Sequence, residues 1–149
     1  MRRTTLLLTA LLTLFGCSLP RWPVSGTLTS PYGLRHHGGL DFRVHRGVDI
    51  AVPSGTEVRA MAPGTVEFAG TMRGYGHVVI VDHGGGVRTV YAHLSAVHTQ
   101  AGQALRGRPV IGLSGASGSA SAPHIHFEII RDGNHEDPVP LLGGFPPLP

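Results

Sequence analysis

Lysine is missing from this sequence altogether; all twelve cationic side chains are arginine. They are scattered and nowhere form a basic run. The net charge of +3 therefore lacks the footprint that nucleic-acid binding needs. Two of the arginines, Arg2 and Arg3, lie at the extreme N-terminus, and the remainder is nearly balanced in charge. Cysteine occurs once, so a fold of 149 residues must rest on a buried core and not on internal disulfides. Aromatic residues are few, at 6%. No segment repeats apolar residues at a 3.6-residue period over a helical length, which argues against a helix bundle. What is abundant is glycine (22), proline (12) and histidine (10). With 41% apolar residues the chain is not disordered by composition. Glycine and proline between short apolar segments predict many short strands and tight turns.

The long apolar run is confined to the N-terminus. Residues 1–17 read MRRTTLLLTALLTLFGC, with two arginines before an apolar stretch from Leu6 to Phe15. That stretch is too short to span a bilayer and fits the apolar region of an export signal. Cys17 follows after Gly16, as in a bacterial lipobox, although Phe15 stands where a small residue is usual. The expectation is an exported protein of the cell envelope, with residues 1–17 as a signal of lipoprotein type and Cys17 anchored in a membrane by acyl chains. Residues 18–149 are then a single domain with a proline-rich tail from Asp137.

Within that domain, Thr27–Arg35 reads as a short strand and a turn, and 36–44 as a loop. Further strands are predicted over 48–52, 56–61, 65–69, 77–82, 87–94, 109–113 and 124–130. Turn signals such as Pro53-Ser54-Gly55 and Gly84-Gly85-Gly86 separate them. Strict alternation over 87–94 predicts that Val87, Thr89, Tyr91 and His93 share one face. The fold class is all-β: a glycine-rich, mostly antiparallel, twisted sheet or partly open barrel.

Three short patterns carry chemistry. In His124-Ile125-His126-Phe127-Glu128, alternation puts His124, His126 and Glu128 on one face of a strand and Ile125 and Phe127 on the other. A strand-borne histidine pair suits a cation, and equally a wet surface. In His45-Arg46-Gly47-Val48-Asp49, a fully extended chain would hold the two Cα atoms roughly 13 Å apart, so the pair can share an ion only if the chain bends, which Gly47 permits. An ordinary loop histidine and turn aspartate fit the same text. The third pattern is Tyr91-Ala92-His93-Leu94. Taken together they offer a His, Asp, His ligand set with a fourth position left for water, the arrangement of a catalytic zinc site.

These patterns together resemble the lysostaphin-like, or LytM-type, zinc metallopeptidases. His45 and Asp49 match the His-x-x-x-Asp motif of that family, and His124 and His126 match its His-x-His motif. The flanks SPYGLR, HRGVDIAVPSGTEVRAMAPGTVEFAG and GYGHVVIVDHGGGVRTVYAHLS are similar as well. The lead-in Ala120-Ser121-Ala122-Pro123 departs from the usual Ser/Thr-Gly-Pro. The resemblance implies zinc (Zn2+) held by His45, Asp49 and His126, with His93 and His124 as the proton-handling pair. It implies peptidoglycan stem peptides or cross-bridges as substrate. Which histidine acts as base is left open, as is a regulatory protein partner. A non-catalytic wall binder or hydrolase activator on the same fold is the alternative. Glu128 is a candidate for orienting His126 or for pairing with an arginine, and Arg35 and Arg46 for meeting a substrate carboxylate.

Overall fold

Short β-branched segments between glycine turns pair locally, and the chain builds a sheet from them. The computed structural model describes residues 19–36 and 42–148. The N-terminal signal and Cys17 lie outside the described residues. The strands are β1 (Thr27–Ser30), β2 (Gly33–His36), β3 (Phe42–His45), β4 (Val48–Ala51), β5 (Glu57–Arg59), β6 (Gly64–Met72), β7 (Gly76–Asp82), β8 (Val87–Val97), β9 (Ala104–Leu105), β10 (Val110–Ser114), β11 (His124–Arg131) and β12 (Asn134–Glu136). Helix among the described residues amounts to one turn, α1 (Pro138–Leu141), capped by Asp137, whose carboxylate accepts from the Val139 N–H.

Ten strands form one sheet, ordered β1-β4-β11-β8-β7-β6-β9, with β12 beside β11 and β10 joining β8 to β5. Their pairings are all antiparallel. The sheet is open, with β1 and β9 at the ends of the path, as the all-β reading expected. Residues 42–44, expected in a loop, instead begin β3, which pairs with β2 as a separate two-stranded ribbon. Its exposed Leu34 and Val44 show why the apolar pattern misled: a free ribbon has no core face to fill.

The sheet is buried on both faces at its centre. On one, Val48, Ile50, Val79, Val81, Tyr91, Leu94, Ile125, Phe127 and Ile129 form the main core with Trp22 and Ile111. On the other, Val78, Val90 and Ala92 form a smaller cluster with Phe68, Tyr75, Ile80 and Ile130. Alternation along β11 sends His126 and Glu128 to this second side. The register then decides their neighbours: His126 pairs with Asp49 across to β4 and with Ala92 across to β8.

His93 breaks the alternation. It was expected on the face of Thr89 and Tyr91, but it faces the second side with Ala92, and the next residue, Leu94, returns to the main core. The cause is a bulge: the β7–β8 register shifts between His77 and Val79, and His93 has a positive φ of 63°. One residue in the left-handed region turns its side chain to the other face without moving the strand out of the sheet.

Candidate metal centre

Three ligand-type atoms meet on that second face. His45 ends β3, Asp49 lies within β4 and His126 within β11. The chain bends at Arg46-Gly47 between the ribbon and the main sheet. Gly47 is needed there for close approach: a Cβ would run into the carbonyl oxygen of Phe127. His45 Nε2 is 3.1 Å from His126 Nδ1 and 3.2 Å from Asp49 Oδ1, and His126 Nδ1 is 2.8 Å from the same oxygen. Tetrahedral zinc with bonds near 2.0–2.1 Å separates its ligand atoms by about 3.3 Å. The triangle is close to one face of such a tetrahedron, and the donor set, two imidazoles and a carboxylate, suits the ion.

Each ligand is also held at its far atom. His45 Nδ1–H donates to the Pro31 carbonyl (2.7 Å), which leaves Nε2 as the lone-pair nitrogen. His126 Nε2–H donates to Glu128 Oε1 (2.9 Å), which leaves Nδ1. Asp49 takes a hydrogen bond from Arg35 Nη2 on Oδ2 (2.7 Å), while Oδ1 belongs to the triangle. Such supports fix tautomer and orientation in metal sites. Burial disfavours the charged Asp49, but its close polar contacts with His126, His45 and Arg35 outweigh this and hold the carboxyl well below its usual range. Burial likewise opposes charge on His126, yet its bonds to Asp49 and Glu128 push it up to about 9 when no cation is bound. Both shifts say that the site wants positive charge.

His93 and His124 stand beside this triangle, their rings 4.7 Å apart. His93 Nδ1–H donates to the Ser117 carbonyl (2.8 Å) and His124 Nδ1–H to that of Ala122 (2.8 Å), so Nε2 is the free nitrogen of each. Burial lowers the His93 pKa below 6.5, the Ser117 carbonyl partly offsets this, and His124 and His126 add to the lowering. All five residues singled out in the sequence line one cleft of about 330 Å³, together with Arg35, Tyr75, Ser119 and Ser121.

The profile of Peptidase family M23 matches residues 43–138, a span that holds all five. This chain belongs to that family. Over 122 residues the M23 chain is 43% identical to the DD-carboxypeptidase/endopeptidase Mpg of Neisseria meningitidis serogroup B, across 81% of this chain and 28% of that protein. It is 37% identical over 132 residues to the murein hydrolase activator EnvC of Escherichia coli K12, across 86% of this chain and 31% of that one. The chain thus spans about a third or less of these relatives. Among solved structures, a zinc containing peptidase from Vibrio cholerae is similar with a TM-score of 0.75 at 27% identity, covering 87% of this M23 chain and 41% of that one.

Two features of the M23 site were only faintly legible in the sequence. Arg35 was weighed for a substrate carboxylate; its guanidinium lies on Asp49 and packs against the His45 ring. Tyr75 was not singled out. It sits in the turn between β6 and β7, a position that periodicity does not read, and only the β11 register brings it to Glu128.

Proposed function

We propose that this M23 chain is a zinc-dependent endopeptidase that hydrolyses peptide bonds in the stem peptides or cross-bridges of peptidoglycan. The observation that carries this reading is the triangle of His45 Nε2, Asp49 Oδ1 and His126 Nδ1 beside two histidines with free Nε2 atoms. A two-histidine, one-carboxylate face serves non-haem iron as well as zinc. The Vibrio cholerae relative, described as zinc containing, favours zinc. Bound there, zinc would supply Lewis acidity and a water that ionises near pH 7. His93, neutral through burial, accepts the proton of the attacking water at Nε2. His124, once protonated at Nε2 from solvent, delivers that proton to the departing amine, and the proton held by His93 returns to solvent. The Ser117 and Ala122 carbonyls hold the Nδ1 protons, so Nε2 is the nitrogen that exchanges protons on both rings. The peptidoglycan assignment is supported by the names of the relatives at 43% and 37% identity. Location in the cell envelope, with Cys17 as the lipid attachment, belongs to the same proposal and rests on the N-terminal sequence.

The second reading, a non-catalytic activator, is favoured by the likeness to EnvC. One experiment separates them. The zinc-loaded protein is incubated with purified peptidoglycan of several cross-bridge types, and released peptides are identified by mass spectrometry. New peptide termini that vanish with Asp49→Ala, and with His93→Asn while zinc stays bound, are expected. An intact zinc-loaded protein that cuts no wall type would move the assignment to the activator.

A further inference from the structure

Glu128 is 1% exposed, and among the described residues its ion-pair partners are histidines and not arginines. The nearby Arg131 lies against Glu136 instead, at 3.4 Å. A buried carboxylate is costly unless its lone pairs are met, and Glu128 meets those of Oε1 with groups of the cleft. Oε1 accepts from His126 Nε2–H at 2.9 Å and from the Tyr75 hydroxyl at 2.8 Å. Oε2 lies 3.2 Å from His135 Nδ1 on β12. The backbone carbonyl of His135 in turn accepts from the Tyr32 hydroxyl at 2.9 Å. The Tyr75 ring lines the cleft and sits 5.9 Å from the His126 ring.

We propose that Glu128 is a positioning residue that holds His126 toward the metal and Tyr75 against the cleft, so that one carboxylate couples metal affinity to the shape of the substrate wall. The inference rests on the zinc reading above. A histidine that ligates through Nδ1 must carry its proton on Nε2. An acceptor at Nε2 holds that tautomer and stops the ring from swinging out of the triangle. Without it a buried N–H is left unpaired, and the ring can turn to satisfy it elsewhere. The same oxygen pins the Tyr75 hydroxyl. No other side chain or backbone group is bonded to that hydroxyl among the described residues. A rotation of Glu128 would therefore disturb ligand and wall at once.

The test uses the full chain and the variants Glu128→Gln, Glu128→Ala and Tyr75→Phe. Zinc affinity is measured by chelator competition, ligand geometry by the visible spectrum of the cobalt-substituted protein, and KM and kcat on a soluble cross-linked stem peptide. Glu128→Ala is expected to weaken zinc binding by roughly 10- to 100-fold and to alter the cobalt spectrum. Glu128→Gln keeps an oxygen acceptor and is expected to fall between that variant and the wild type. Tyr75→Phe should keep zinc affinity and raise KM, since it loosens only the wall. A merely structural Glu128 would lower the melting temperature of the metal-free protein and leave zinc affinity and cobalt spectrum of the folded variants unchanged; that result overturns the proposal. If Glu128→Ala does not fold, an unchanged affinity and spectrum in Glu128→Gln overturns it equally. A wild-type chain that binds no zinc overturns the zinc reading itself, whereas wild-type binding matched by every variant overturns this proposal alone.

Discussion

At the scale of single residues, His93 and Gly47 meet opposite requirements. As the proposed base, His93 must be neutral to accept a proton, and burial favours that form by lowering its pKa below 6.5. For a histidine of this kind the fold favours the neutral form. Its contribution to stability is full above 6.5 and is lost as pH falls through the lowered value. A histidine-resolved NMR titration of the zinc-loaded protein should place the His93 midpoint below 6.5; a midpoint at or above that value would mean that burial does not hold the ring neutral. Gly47, by contrast, contributes by having no side chain, since any Cβ there collides with the Phe127 backbone. That absence lets β4 lie against β11 closely enough for Asp49 and His126 to face each other.

At the scale of elements, β8 and β11 divide the labour. Strand β11 is regular, and its alternation delivers His124, His126 and Glu128 to one face while Ile125, Phe127 and Ile129 fill the core. Strand β8 would send His93 into that core were it regular too. The bulge and the left-handed φ at His93 reverse it, and its N–H is met by the Tyr75 carbonyl at 2.9 Å. Strained backbone at a functional residue costs about 1–3 kcal/mol and persists because its surroundings hold it. Asparagine tolerates this region and a β-branched residue does not. His93→Val should therefore lose about 1–2 kcal/mol more in chemical denaturation than His93→Asn, although both lack the imidazole. Equal losses would mean that the left-handed turn at position 93 is not maintained in solution.

At the scale of the whole molecule, the proposed ligands join distant parts of the chain. His45 and His126 lie 81 residues apart, and the ribbon that carries His45 touches the site through that residue and Arg35. A cation at the triangle would tie the β2–β3 ribbon to the main sheet. Because zinc at this triangle would bind the folded chain and find no preformed site in the unfolded one, free zinc at a thousandfold its dissociation constant should add about 4 kcal/mol. For a domain of this size that corresponds to a rise in melting temperature on the order of 10 °C. Scanning calorimetry with zinc and with chelator measures it, and Asp49→Ala should abolish the difference. An unchanged melting temperature in the wild type would speak against a metal at these residues.

Much of this was legible before the fold. Glycine and proline punctuation around β-branched segments marked nearly every strand of the main sheet, because a half-buried strand imposes a period of two on its own residues. Local text likewise determined that His124, His126 and Glu128 share a face, and the combined motifs pointed to five residues that the structure brings into one cleft. Other features depend on partners distant in sequence. The ribbon strand β3 has no core face, so its pattern carried no signal. The reversal of His93 comes from a register shift against β7, which no reading of β8 alone contains. Arg35 on Asp49 and Tyr75 on Glu128 are contacts across 14 and 53 residues. Periodicity tells a side chain which side of its strand it occupies; only the pairing of strands and the packing of turns decide what it meets there.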